Sequence, residues 1–433
     1  MTRPATPESQ SDPTNANGCT AEPAHDSDAQ ERSIPIRPGD LTRLLMGQPD
    51  LSPTERTHFG QFAKLLDAVF HHEFHSWLVE LKERYAPFDP DTDCVDLNGF
   101  TALPTDFGDE KFLKPFEAAL IRANYRRLKL EVIEDAIAAP NEKGLTYVPD
   151  FTLFEHMDVY VRGSTKVSRF VRNFQSKFRK SEVVYDGYAR FVVALKFKPE
   201  FADRDSYVRA DVIYLRLFKD VPYVDMEMHL PEQGIKVKMR MIDKAQVASP
   251  LVAFPATMAL KAVGFFVGAM SAMPRLTLGT LLMAPVSAGI NSFFGFKRAQ
   301  RRHLLTMIRH LYYLTLANNA SVIECIIGAA EEEEYKEALL AYYALWRKSS
   351  DEGPWNSARL DDWIEHFLQT HTGLDLDFEV QDALHKLFRL GIVQADNQGR
   401  LTAAPIEQVL AILDGHWDDF FRYAPAASPA APE

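Results

Sequence analysis

The sequence predicts an α+β, multi-domain membrane protein: a helical N-terminal region, a small and mostly antiparallel sheet, a two-helix membrane hairpin and a C-terminal winged-helix-like helical domain. Three observations indicate this fold class. Apolar residues recur every three or four positions towards both ends of the chain, which is typical of amphipathic helices. In the middle they recur at every second position, as in half-buried strands. Two long apolar segments with basic residues at their outer ends follow those strands.

Composition limits the classes of protein that fit. The chain has 433 residues and a net charge of −12, which argues against a general nucleic-acid binder because phosphates would be repelled. Cys19, Cys94 and Cys325 lie far apart, which excludes a disulfide framework and a cysteine zinc site and is typical of a reducing compartment. Residues 1–38 and 424–433 are predicted to be disordered tails, and the first is too acidic for a targeting peptide.

Residues 39–140 form the predicted helical region. Two long helices are expected, and Pro140 ends the second because proline cannot continue a helix. The apolar stripes are Phe62, Leu65, Leu66, Val69 and Phe70 in the first helix and Phe116, Leu120, Tyr125, Leu128, Val132 and Ile133 in the second.

A histidine-rich stretch on the first helix offers a metal hypothesis. His71 and His75 have the four-residue spacing by which two imidazoles can share a zinc ion. Glu73 does not directly follow the first histidine, so the stretch is not an HExxH motif with a glutamate base. Packing of an amphipathic helix explains the same residues without a metal, and this is the preferred interpretation.

Residues 147–245 are predicted to form an α+β domain. Strands are expected at 191–197 and 212–218, followed by a hairpin whose four-residue loop spans 231–234. Folding about that loop places Glu227 opposite Lys238, and Asp225 opposite Arg240.

The same hairpin carries a second metal hypothesis. Asp225, Glu227 and His229 share one face of a strand, and two carboxylates with an imidazole can hold a divalent cation. Lys238 and Arg240 on the facing strand would instead form ion pairs with the carboxylates. The ion-pair interpretation is preferred, so no metal or other cofactor is predicted and this site stays a weak alternative.

A cationic stretch is the strongest charge feature of the chain. Seven basic residues occur between positions 162 and 180 with no acidic residue among them, and apolar residues recur between them at helical spacing. We predict a basic amphipathic helix over residues 165–180, either on a membrane surface with anionic lipid or packed on the sheet with a solvated basic face. The predicted membrane-surface residues are Arg162, Lys166, Arg169, Arg172, Lys177, Arg179 and Lys180.

Residues 248–296 are predicted to form the membrane hairpin. Its second apolar segment has no charged residue and is about long enough to cross a bilayer, whereas Lys261 interrupts the first. Gly264 and Gly268 form a GxxxG motif that lets two helices approach closely. Basic residues on both outer flanks place the remaining domains on the cytoplasmic side. The alternative is a pair of buried core helices.

Residues 297–423 are predicted to be helical and to end in a winged-helix-like fold. After helices at 301–327 and 331–347, two more helical stripes end at Gly373 and Gly391, and a small hairpin and a last helix follow. From the first of these stripes onwards the domain holds five basic and twelve acidic residues. A major-groove reader would present the opposite charge, so this domain is predicted to contact protein rather than nucleic acid.

Four blocks of sequence occur together in this chain: VIYLRLFKDVPYVDMEMHLP, FFGFKRAQRRHLLTMIRHLYYLTLANNASVI, EEEEYKEALLAYYALWR and LDLDFEVQDALHKLFRLGIV. They resemble the transmembrane protein 143-like family, whose function is not known, and the resemblance covers residues 147–421. It implies a membrane-associated protein, mitochondrial in animals and also found in bacteria, and it carries no catalytic residues. With the acidic N-terminus it implies a bacterial version in the inner membrane.

Together these observations predict a membrane-anchored, non-catalytic scaffold or regulatory protein. It would bind the membrane surface and a protein partner on the cytoplasmic side. The chain has no GxxxxGK[ST], no GxGxxG after a strand and no GxSxG, which lowers the expectation of an enzyme without excluding one. The alternative is a membrane-bound metal-dependent hydrolase that would use Asp225, Glu227 and His229.

Overall fold

The computed structural model describes ten parts of the chain. They are residues 31–92, 108–138, 146–172, 180–202, 208–223, 226, 229–230, 235–238, 311–349 and 353–420.

The chain begins with two helices that follow the predicted pattern. Helix α1 spans Pro38–Met46 and α2 spans Pro53–Tyr85. A capping box starts α2, because Ser52 accepts from the backbone of Glu55 and the Glu55 side chain accepts from the backbone of Ser52. The predicted apolar stripe is largely buried against the core.

The second predicted helix is wrong as a single element. Helix α3 spans Glu110–Arg122. It cannot continue through Asn124, whose φ of 59° lies in the left-handed region. A short strand, β1 (Arg126–Arg127), and a separate helix, α4 (Leu130–Ala138), take up the rest. Apolar residues keep a spacing of three to five positions across this break, so the spacing alone predicted one continuous helix.

Six more strands follow β1 in the middle of the molecule. Their bounds are β2 Thr146–Pro149, β3 Phe154–Arg172, β4 Lys180–Phe197, β5 Tyr214–Pro222, β6 Ile235–Lys238 and β7 Thr315–Asn318. Five strands form an antiparallel sheet in the order β1-β3-β4-β5-β7. A smaller two-stranded sheet pairs β2 with β6, and a helical turn, α5 (Pro199–Ala202), follows β4.

The sheet corrects two predictions. Residues 165–172 do not form part of a basic helix, because they belong to β3 and pair with β4, and residues 173–179 lie outside the described residues. Strand β7 replaces part of the helix predicted over 301–327, since it pairs with the edge of β5. Strand β6 pairs with β2, and most of the strand predicted to form a hairpin with it, residues 224–228, lies outside the described residues.

The C-terminal part contains the predicted helices and hairpin. Helix α6 spans Ala320–Tyr343 and continues as one π-helical turn, Ala344–Lys348. Gly373 and Gly391, at φ of 71° and 73°, follow the next two helices, as their positions predicted. These helices are α7 (Ser357–Thr372) and α8 (Val380–Arg389), and the hairpin β8 (Val393–Ala395) and β9 (Leu401–Ala403) and helix α9 (Ile406–Phe420) follow.

Both faces of the large sheet are buried. On one face Val192 and Leu217 join a cluster formed mainly by the helices, which extends from Ile34 to Leu413. On the other face Val193 and Phe218 join a smaller cluster that includes α4. Helix α6 lies at the centre of the helical layer, since every residue from Glu333 to Tyr343 is buried. The N-terminal and C-terminal helices therefore share one core.

The prediction of a membrane protein anchored in the bacterial inner membrane is wrong for the part of the chain that the structure describes. The longest of these helices, α2 and α6, carry charged residues along their length. Among the described helices, none combines the length and the apolar character needed to cross a bilayer. Residues 248–296, with Lys261, Gly264 and Gly268, lie outside the described residues.

Candidate functional site

The cationic stretch forms a two-stranded arm. Residues 154–163 of β3 and 187–197 of β4 lie in the large sheet, where β1 and β5 flank them. Beyond this point, residues 164–172 and 180–186 pair only with each other among the described strands. We call this strand pair the β arm. At about 3.3 Å per residue its β3 side is roughly 30 Å long.

Two glycines mark the base of the β arm. Gly187 lies so close to β5 that a Cβ at this position would be 2.4 Å from the carbonyl oxygen of Val221. Strand β5 ends one residue later, at Pro222, which has no N–H group to extend the pairing. On the neighbouring strand Gly163 has a φ of 71°, a conformation that glycine adopts without strain. The β arm therefore leaves the sheet at a defined position.

The β arm is solvated and basic. From Ser164 to Ser168 and from Glu182 to Asp186, no residue is buried, and the apolar Val184 is 57% exposed. Residues 164–172 and 180–186 contain four basic and two acidic residues. The register places Lys166 opposite Asp186 and Arg172 opposite Lys180. The β arm therefore carries a net positive charge.

Arg162 anchors the β arm to the helical layer and does not belong to its exposed surface. Its guanidinium donates to the carbonyl oxygen of Ala123 at 3.1 Å and lies 5.2 Å from the centre of the Tyr125 ring. It is also 3.7 Å from the buried Glu333 carboxylate. Of the seven predicted membrane-surface residues, this one has a structural role. Lys166 is exposed, and Lys177 and Arg179 lie outside the described residues.

Behind this anchor, α6 carries a buried cluster of charged residues. Lys336 donates to Glu333 at 2.9 Å and to the carbonyl oxygen of Ile34 at 2.6 Å, while Glu333 accepts from the Ile34 amide at 3.0 Å. One turn further along, Lys386 of α8 contacts Glu337 at 2.6 Å. These pairs connect the N-terminal segment, β3 and α8 to one helix. The sequence signal that could have revealed them is the run EEEEYKE inside a helix with an apolar stripe.

The buried carboxyls have shifted pKa values. Burial raises the pKa of Glu337 to about 7, although Lys386 opposes the shift. Burial also raises the pKa of Glu334, and Lys386 and Arg122 oppose it. For Lys386, burial alone would lower the pKa, but the surrounding carboxylates raise it above its ordinary value. Pairing with Lys386 thus offsets only part of the effect that burial has on the pKa values of Glu334 and Glu337.

A pH-dependent stability follows from Glu337. Its folded-state pKa is raised from 4.5 to about 7, so its contribution to stability is complete below pH 4.5 and is lost as the pH rises through 7. We expect the unfolding free energy of the wild type, relative to Glu337→Gln, to fall by roughly 3 kcal/mol across this window. Urea titrations of both proteins from pH 4.5 to 8 measure it. A difference that does not change with pH would contradict the shift.

The histidine-rich stretch contributes to packing and to one shallow groove. The Nδ1 atom of His71 is 3.0 Å from Glu331, and the ring of His72 stacks on Phe420 at 4.2 Å. Glu73 forms an ion pair with Arg389 at 2.8 Å. His72, Glu73, Trp77, Arg122, Arg389 and Phe420 line a groove of about 410 Å³ together with neighbouring residues. The groove is lined by both acidic and basic side chains, and Glu73 and Arg389 pair with each other, so its charge favours neither anionic nor cationic ligands.

Of the second metal hypothesis, only His229 lies within the described residues. His229 is buried between the rings of Phe191 and Phe218, with ring centres 6.0 and 4.8 Å away, and Asp225 and Glu227 lie outside the described residues.

A different group, Asp109, Glu155 and His156, has ligand atoms within 4.8 Å of one another. The ammonium of Lys196 already lies there, 2.5 Å from Asp109 and 3.2 Å from Glu155. A protein cation thus takes the place that a metal would need.

A family model matches part of the chain. Residues 156–321 match the family described as "Protein of unknown function (DUF3754)". The match covers less than half of the chain and includes the β arm, β4 to β7 and the start of α6. It supports kinship with a family of unknown function. No solved structure matches the chain.

Proposed function

We propose that the protein is a non-catalytic binding protein that uses the β arm to hold an acidic partner protein. The observation that carries this proposal is the basic strand pair beyond the sheet, whose two outer edges have no partner among the described strands. Unpaired strand edges can accept a further strand, and charges of one sign orient and accelerate association. We also propose that the chain is related to the transmembrane protein 143-like family, but this relationship contributes nothing to the assigned function.

The rigid attachment of the β arm supports a binding role. Gly187 fixes the point where it leaves the sheet, and Arg162 connects its base to α6. A projecting element loses less conformational entropy on binding when its base is already held in place. A protein partner is favoured over nucleic acid because a polypeptide strand can pair with the strand edges of the β arm, and a nucleic acid cannot.

Binding to a short poly-L-glutamate probe, measured by fluorescence anisotropy with the full chain, tests the proposal. We expect the triple variant Lys166→Gln, Arg169→Gln, Arg172→Gln to bind roughly tenfold more weakly, at about 0.5 kcal/mol per charge removed. The matched control replaces Arg43, Lys64 and Lys129, three exposed cations of the helices and their connections, with Gln. It should bind as the wild type does.

Two results would overturn the proposal. Equal loss of binding in both triple variants would show that the probe senses only the total charge. Tighter arm-dependent binding to vesicles of anionic lipid, or to duplex DNA, than to poly-L-glutamate would show that the β arm contacts a lipid surface or a nucleic acid instead of a protein.

A further inference from the structure

Residues 31–36 form an irregular segment that precedes α1, and we call these six residues the N-terminal strap. Ile34 is 2% exposed, whereas Pro35 is exposed and Ile36 is half-buried. The hydrogen bonds of the strap to the rest of the molecule reach residues just after α3, on α6 and just before α8. The strap thus lies on the assembled fold in the way that a bound peptide would.

Two buried charged side chains of α6 bind the backbone of the strap. Glu333 accepts from the Ile34 amide at 3.0 Å, and Lys336 donates to the Ile34 carbonyl oxygen at 2.6 Å. Both of these charged residues are only 3% exposed, and charged residues are rarely buried so deeply unless they are paired. Hydrogen bonds to the main chain are the usual source of affinity when a protein binds a peptide segment.

Side chains of the strap supply specificity. Ile34 enters the apolar core cluster. Arg32 forms an ion pair with Asp377 at 3.0 Å and another with Glu379, both just before α8. The carbonyl oxygen of Glu31 accepts from the amide of Asp377 at 2.9 Å, which aligns the strap with that segment. The site therefore recognises an arginine, one intervening residue and a branched apolar residue.

The walls of this site are held together without the strap. Glu333 and Lys336 also pair with each other at 2.9 Å, and Arg162 lies 3.7 Å from Glu333. Lys386 of α8 contacts Glu337 of α6 at 2.6 Å, so the two helices are joined directly. The backbone at a binding interface usually moves little between the free and bound states. The site can therefore persist when the strap leaves it.

We infer that the strap is an intramolecular ligand of a peptide-binding site between α6 and the segment just before α8. When the strap leaves, a segment of a partner protein with the same pattern, Arg-x-Ile, takes its place. Because the strap is covalently attached, its effective concentration at the site is on the order of 1 mM. It therefore inhibits the binding of a free segment of equal intrinsic affinity. This inference goes beyond the proposed function and does not use the exposed strands of the β arm.

Fluorescence anisotropy with the full chain and a labelled peptide of residues 31–36, blocked at both ends, tests the inference. We expect weak binding to the wild type, because its own strap occupies the site. Arg32→Glu places like charges beside Asp377 and Glu379, so it should loosen the strap and tighten peptide binding roughly tenfold. Ile34→Asp should tighten it further, because burying a carboxylate in an apolar pocket is costly.

Two controls accompany these variants. Arg37→Glu changes an exposed arginine just outside the strap and should leave peptide binding as in the wild type. A peptide that carries Ile34→Asp should bind none of the chains. Circular dichroism checks that each variant is folded, and the side chain of Arg32 is 54% exposed, so Arg32→Glu tests the inference even if Ile34→Asp does not fold.

Three results would overturn the inference. A folded Arg32→Glu chain that binds the peptide no more tightly than the wild type would show that the strap is a fixed part of the fold. An equal gain in Arg37→Glu would show that only the charge of the N-terminal segment matters. Equal binding of the two peptides would show that the apolar anchor plays no part in recognition.

Discussion

Replacing Lys386 with Ala is expected to lower the free energy of unfolding by about 3–5 kcal/mol, the loss typical of breaking a buried ion pair from one side. The ammonium of Lys386 lies 2.6 Å from Glu337 and 2.9 Å from Asp382, and its side chain is almost fully buried. Without it, Glu337 would remain inside the helical layer with Asn124 as its remaining hydrogen-bond donor among the described residues. Urea unfolding followed by circular dichroism near pH 8 measures the loss.

A double variant distinguishes the buried charge from lost packing. Glu337→Gln with Lys386→Met removes both charges and keeps similar side-chain volumes, so we expect it to recover most of the stability, because apolar replacements of buried ion pairs are often neutral. If Lys386→Ala costs less than about 1 kcal/mol, water reaches Glu337 and the cluster is not desolvated as described.

Replacing Gly187 with Ala should destabilise the protein by about 3 kcal/mol and disturb the base of the β arm. The new Cβ would be 2.4 Å from the carbonyl oxygen of Val221 and 2.8 Å from the Cα of Pro222. Both atoms belong to the backbone, so relief requires β4 and β5 to separate, and overpacking without relief usually costs 1–3 kcal/mol or more. Thermal unfolding of the variant measures the effect.

Gly328 provides the matched control. It lies within α6, where a new Cβ would meet no atom within 4 Å. Gly328→Ala should therefore stabilise the protein by about 0.5–1 kcal/mol through helix propensity, the opposite sign from Gly187→Ala. Two glycine substitutions that destabilise equally would contradict the close approach of the strands at the base of the β arm.

Local signals predicted those elements whose ends are set by local chemistry. The helix ends at Gly373 and Gly391 were predictable because a left-handed residue there needs only glycine and a preceding apolar stripe. The capping box of Ser52 and Glu55 at the start of α2 is a local signal of the same kind, but that start was not among the predictions. Such signals do not depend on the rest of the fold, so they can be read from one sequence.

The β arm could not be predicted locally because its strands are defined by pairing. Val167, Phe170, Val171 and Phe174 recur at three- and four-residue spacing, which favours a helix on periodicity alone. Pairing with β4 determines the conformation of residues 162–172 instead, and the sequence of these residues does not indicate which strand they pair with. The buried charges of α6 were missed because a run of glutamates ordinarily indicates a solvated face, and the position of this run inside an apolar helix was not taken into account.

The hydrogen bonds between α6 and the N-terminal segment can form only after α6 has been synthesised. Ile34 is held by Glu333 and Lys336, about three hundred positions later in the sequence. During synthesis α1 and α2 leave the ribosome long before α6, so the apolar faces that pack against α6 in the folded protein are exposed to solvent until then. Contacts so distant in sequence close slowly, and transiently exposed apolar surface aggregates readily. Nascent chains that end before α6 should therefore depend on chaperones, whereas the finished chain shields that surface itself.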